Sequence, residues 1–138
     1  MPKLVFFIAC EKVLISEEEK NASLISIFEG ITVQKPNEKL EHAQAALSWS
    51  LVAYWEKLPE DEGKKFEQYT RLISPNDEVG AESNITFSLI SRHQRNKVTI
   101  IGFPVIPDGE YKAKLSIREE GKSDWIDVAE YSIMVNYQ

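Results

Sequence analysis

Cysteine occurs once and histidine twice in the 138 residues. A lone thiol cannot close an internal disulfide, so nothing in the chain points to an oxidising compartment. Two histidines and one cysteine also leave little material for a closed metal site or a nucleophilic triad. No stretch approaches the roughly 18 consecutive apolar residues of a membrane span. Positive charge is short as well: 16 Lys and Arg stand against 22 Asp and Glu, a formal net charge of -6. That balance excludes a surface basic over the whole protein, which nucleic acid or an anionic membrane would demand. Internal repeats, low-complexity tracts and linkers are missing too, so a single domain over residues 1–138 is expected.

What is present is the balance of a folded chain, with 43% apolar and 28% charged residues, rather than of a disordered one. Polar and turn-forming clusters recur at fairly even intervals. Among them are Lys35-Pro36-Asn37, Ser74-Pro75-Asn76-Asp77, Pro107-Asp108-Gly109 and Glu120-Gly121-Lys122-Ser123. Between the clusters lie eight runs rich in β-branched and aromatic residues, the pattern of an all-β domain. The clearest run sets Tyr111, Ala113, Leu115 and Ile117 against Lys112, Lys114, Ser116 and Arg118, one face dry and one wet. Ala129, Tyr131, Ile133, Val135 and Tyr137 repeat the rule. Residues 37–58 fit two periods. Leu40, Gln44, Leu47, Leu51, Tyr54 and Leu58 suit a helix, whereas Leu47, Trp49, Leu51, Ala53 and Trp55 share a strand parity. The tryptophans and valine favour a pleated surface, so 46–58 is read as strand and 37–44 as a loop with room for one helical turn.

The opening Met1-Pro2-Lys3 and the apolar residues to Cys10 faintly suggest a lipoprotein leader. Apolar character continues past the cysteine through Val13-Leu14-Ile15, as a structural strand requires, so a cytoplasmic protein is expected. Three runs, residues 4–9, 51–55 and 98–101, are apolar on both parities. Two explanations stand: loop 36–45 covers part of an outer face, or an outer face built on Val5, Phe7 and Ala9 meets another subunit. Cys10 shares parity with Leu4, Phe6 and Ile8 and reads as a core residue.

Cys10-Glu11-Lys12-Val13 with Ser23-Leu24-Ile25-Ser26-Ile27-Phe28 resembles the opening of a family of small uncharacterised bacterial proteins. Trp55, Gly63, Phe66, Leu72 and Pro75 in the middle, and Gly109-Glu110-Tyr111 to Trp125-Ile126 at the close, carry the same resemblance. It implies a compact β-sandwich with no assigned activity and no catalytic motif.

Strand alternation brings loops 16–21, 57–65, 91–97 and 119–124 to one end. That end collects Glu17, Glu18, Glu19, Glu60, Asp61, Glu62, Glu119, Glu120 and Asp124. Calcium prefers Asp-rich sets of six to eight oxygens, and lysines intersperse this rim, so a solvated face is the plainer reading. His42 and His93 fall on loops at opposite ends, too few and too far apart for a zinc site. Trp49 and Trp55 read as core, which leaves Trp125, beside Asp124, as the accessible aromatic for a sugar ring. Arg92, Arg95 and Lys97 form the one basic cluster, enough for an acidic protein surface but few for nucleic acid without interleaved aromatics.

The resulting expectation is an antiparallel β-sandwich of seven or eight strands, immunoglobulin-like or C2-like, without catalytic residues, metal or cofactor. Its function is read as protein interaction or self-association through an apolar sheet face or edge strand. The contact residues are Val5, Phe7 and Ala9 on strand 3–10. The alternative is calcium or carbohydrate binding at the acidic end, with Trp125 and Asp124 as ligand contacts.

Overall fold

The computed structural model describes residues 1–16 and 21–138. The chain is all-β, with two sheets packed face to face. β1 (Lys3–Ile15), β2 (Ala22–Ile27), β4 (Gln44–Glu56) and β7 (His93–Pro104) form one sheet in the order β2-β1-β4-β7. β3 (Gly30–Val33), β5 (Lys65–Ile73), β6 (Val79–Ser88), β8 (Gly109–Glu119) and β9 (Ile126–Tyr137) form the other in the order β3-β9-β8-β5-β6. A short 3₁₀ turn, Pro59–Asp61, joins β4 to β5. Among the described residues no helix is long and apolar enough to cross a membrane.

Among the described residues nine strands stand where seven or eight are expected, because residues 22–33 do not run straight. Ser26 holds a left-handed φ of 57°, and the chain passes through Phe28 and Glu29 from one sheet into the other. The short β3 then lies parallel to β9, the one parallel pair among the described residues, whose other pairings are antiparallel as expected. β4 covers 44–56, so the strand reading of this stretch prevails, and residues 37–43 carry turns rather than helix. The tryptophans decide it: Trp49 and Trp55 are wholly buried between the sheets, which a helical face at 3.6-residue spacing would not allow beside Leu51 and Ala53.

β1 corrects the interface expectation. Its pairing with β4 slips between Leu4 and Phe6, so that Leu4 faces Trp55 and Phe6 faces Tyr54. Val5 is the extra residue of a bulge, and a one-residue bulge exchanges the faces of everything beyond it. Phe7 and Ala9 therefore enter the core, with 9% and 0% of their surface exposed, while Val5 alone of the three stays outside at 46%. Phe6, Ile8 and Cys10 take the outer parity. Cys10 is nonetheless fully buried, and burial pushes its thiol up from the usual range.

The core closes at one end on Tyr111, which is 1% exposed and donates its hydroxyl to the Pro107 carbonyl at 2.6 Å. Burial, and after it the neighbouring charges of Tyr137 and Asp108, push its pKa up to about 12. An unfolded tyrosine ionises near 10, so the folded protein holds this proton more tightly. Stability is thus intact below pH about 10 and falls by on the order of 3 kcal/mol as pH rises towards 12. Alkaline unfolding followed by circular dichroism is expected to show this slope. Tyr111→Phe is expected to flatten it while costing about 1 kcal/mol at neutral pH. An unchanged slope in that variant would assign the alkaline transition to another group.

Candidate functional site

Two exposed surfaces collect unusual side chains, and both lie on outer sheet faces rather than in end loops. On the face of β1, β4 and β7, three rings stack across the strands. Phe6 lies on Tyr54 at 5.2 Å and 27°, and Tyr54 lies on His93 at 5.1 Å and 14°. The segment read as basic loop 91–97 is mostly strand. β7 begins at His93, and its pleat turns His93, Arg95 and Lys97 outward while Gln94 and Asn96 turn inward. Arg95 pairs directly with Tyr54 in register and Lys97 with Val52, so cations and rings alternate over one surface. Arg92 is held by Glu56 at 3.3 Å, whereas neither Arg95 nor Lys97 has a carboxylate partner among the described residues.

The ribbon of β1 and β2 doubles back over this face. Ile15 lies nine residues beyond Phe6, a span of about 30 Å if the strand were straight. Yet Asn21 and Ala22, beside Ile15 in the pairing, line a recess of ≈ 300 Å³ with Leu24, Phe6, Tyr54 and Arg95. The ribbon therefore covers part of the outer face, beside Phe6, Tyr54 and Arg95. The ribbon's own outward side is greasy: Leu14, Ile25 and Ile27 share a face by register and are 54%, 38% and 52% exposed. The pattern that reveals this patch, Leu24-Ile25-Ser26-Ile27, is visible in the sequence, but its exposure is not.

Trp125 sits on the outer face of the second sheet. The Arg118 guanidinium lies 4.3 Å over its ring, and Tyr69 approaches at 5.7 Å and 52°. Around them the side chains satisfy one another. Tyr69 donates to Glu82 at 2.5 Å, Arg71 donates to Ser116 at 2.9 Å, and Ser116 donates to Asp127 at 2.5 Å. The Ser116 hydrogen bond, with help from Arg71 and against burial, draws the Asp127 carboxyl below the usual carboxylate range. The bond to Glu82 and that carboxylate's charge raise the Tyr69 hydroxyl. One face of the Trp125 ring is thus taken by Arg118 and its rim by Tyr69, while Asp124 stands exposed in the preceding turn outside this network.

At the loop end, Lys57 N–H bonds the Arg92 carbonyl at 2.8 Å and Glu120 N–H the Lys65 carbonyl at 2.9 Å, which brings loops 57–64, 89–92 and 120–125 together. Glu17, Glu18 and Glu19 lie outside the described residues. Asp61 is buried, accepting the Leu58 N–H at 2.8 Å, with the Met1 amino group 3.1 Å from its other oxygen. Its role is structural, closing the turn after β4. Among the described residues no three His, Cys, Asp or Glu side chains converge as a ligand set for a metal ion. His42 lines a separate recess with Pro104 and Tyr111, while His93 stacks on Tyr54.

A polar cluster that sequence reasoning missed lies between the sheets. Gln68 Oε1 accepts from Trp55 Nε1 at 2.9 Å and from Asn96 Nδ2 at 3.0 Å, and Gln68 Nε2 donates to Thr70 at 3.1 Å. Gln94 donates to Asn96 at 3.0 Å. Each donor is matched, so the cluster ties the layers together and presents no reactive group. No protein-family model matches the chain, and no curated protein is found similar to it.

Proposed function

We propose that the protein is a non-catalytic assembly module, a cytoplasmic sandwich of immunoglobulin-like type that pairs with a second copy of itself along β2. The pairing pattern supports that fold type. With β1 and β2 set aside, β4 and β7 pack as strands B and E over a β9-β8-β5-β6 sheet in the place of G, F, C and C′. The Tyr111 hydroxyl, bonded four residues back near the start of β8, matches the tyrosine corner of such domains.

The observation that carries the functional reading is a contrast among the four sheet edges. Exposed edges are ordinarily blunted by charge, proline, bulges or brevity. β3 has four residues, β7 carries Arg95 and Lys97 and ends on Pro104, and β6 carries Glu82 and pairs with β5 across a bulge. β2 has none of these devices. Its sequence Ala22-Ser23-Leu24-Ile25-Ser26-Ile27 is uncharged and proline-free, the composition that pairs readily with a copy of itself. Antiparallel pairing of β2 across a two-fold axis brings no like charges together and continues the Leu14, Ile25 and Ile27 face from one protomer into the next.

Light scattering at micromolar concentration is expected to give twice the chain's mass. Ile25→Lys places two ammonium groups beside the axis and is expected to return the monomer, whereas Ile101→Lys, at an 86% exposed site on another edge, leaves the dimer intact. A monomeric mass for the parent protein across that range rejects the reading.

A further inference from the structure

We infer that the outer edge of β7 is a second docking site, for an extended acidic strand of a partner protein in which carboxylate and apolar side chains alternate. β7 is hydrogen-bonded to β4 on one side only, and β6, the strand before it in the chain, stays in the other sheet. The two edges diverge around a groove of ≈ 380 Å³ whose inner wall is Leu51, Thr70, Val98 and Ile100. In sandwiches of the immunoglobulin type a further strand runs beside the one that β7 resembles, and among the described residues that place holds no strand. A strand added there meets main-chain N–H and C=O groups of β7 that its pairing with β4 leaves over, the usual source of affinity when a peptide extends a sheet.

The side chains of β7 specify the occupant. Its outward row is His93, Arg95 and Lys97, followed by Thr99 and Ile101, and its inward row passes from Gln94 and Asn96 to half-buried Val98 and Ile100. Residues of an added strand fall on the same two faces in turn. Its outward positions lie beside Arg95 and Lys97, cations without a carboxylate partner among the described residues, in a protein whose net charge is -6. Its inward positions lie over Val98, Ile100 and Leu51. Carboxylates outward and aliphatic groups inward therefore satisfy both rows. Glu82, on the opposite rim, does not oppose this arrangement, because the Tyr69 hydroxyl holds it on the outer face of the second sheet at 2.5 Å. A second copy of the chain is the poorer occupant. Two-fold pairing of β7 sets Arg95 and Lys97 against their own copies, and β2 has no carboxylate to offer.

The experiment measures anisotropy of a fluorescein-labelled decapeptide alternating glutamate and valine, titrated with the Ile25→Lys protein so that pairing through β2 plays no part. Binding is expected, weakened at least about tenfold by Lys97→Glu or Arg95→Glu and lost towards roughly 0.5 M salt. Circular dichroism of both variants is expected to match the parent. A lysine–valine peptide is expected not to bind, and one with the same glutamates and valines in two blocks to bind at least about tenfold more weakly. The inference is overturned by absent binding, by equal binding of the lysine or block peptide, or by indifference to both substitutions. Displacement of the peptide by an equal concentration of oligothymidylate would overturn it too, in favour of single-stranded nucleic acid.

Discussion

Gln68→Ala is expected to cost about 3–5 kcal/mol, a large share of a small domain's stability. The side chain is 1% exposed, and one oxygen serves two buried donors, the Trp55 indole and the Asn96 amide. Truncation strips both of their acceptor at about 1–3 kcal/mol each and leaves a cavity between the layers. Urea unfolding is expected to show a lower midpoint with an unchanged slope, since the surface exposed on unfolding stays the same. Replacing the polar partners together, as Trp55→Phe, Asn96→Leu and Gln68→Leu, is expected to cost less than the single alanine, because the Trp55 and Asn96 donors are then removed together with their acceptor. A loss below about 1 kcal/mol in Gln68→Ala would show that water reaches the cluster and that it does not tie the sheets.

Phe7→Ala is expected to cost about 3–5 kcal/mol, whereas Val5→Ala, two residues away, stays within about 0.5 kcal/mol. Phe7 is packed in the core cluster with Ala9, Trp49 and Leu51, while Val5 stands in the bulge with nearly half its surface in water. Thermal unfolding of the two variants side by side measures the difference directly. Equal costs would mean that β1 runs without the slip between Leu4 and Phe6. The outer-face contact would then revert to Val5, Phe7 and Ala9.

Some of the molecule is legible because its cause is local. Side chains two apart on an extended chain point the same way, so Tyr111 to Ile117 and Ala129 to Tyr137 announce half-buried strands without reference to any partner. The wet rim of end loops and the turn before β8 follow from residue chemistry in the same manner. The segment 92–97 shows the limit. Arg92-His93-Gln94-Arg95-Asn96-Lys97 is polar at every position and reads as loop, though the alternation of His93, Arg95 and Lys97 with Gln94 and Asn96 is already there. Asn96 faces inward onto Gln68 of the other sheet, which accepts its amide, and Gln94 in turn donates to Asn96.

The sequence by itself determined that the chain forms strands and which residues of each strand share a face. Which of those two faces is buried is a relation between strands, and only the tertiary structure decided it. Alternation is symmetric under exchange of the faces, and one bulged residue at Val5 exchanges them for Phe7 and Ala9. The same holds for the candidate sites. The exposure of Leu14, Ile25 and Ile27, and the open edge beside Arg95 and Lys97, depend on where the β1–β2 ribbon folds and on which strands find neighbours. Those choices are made by packing between residues far apart in the chain.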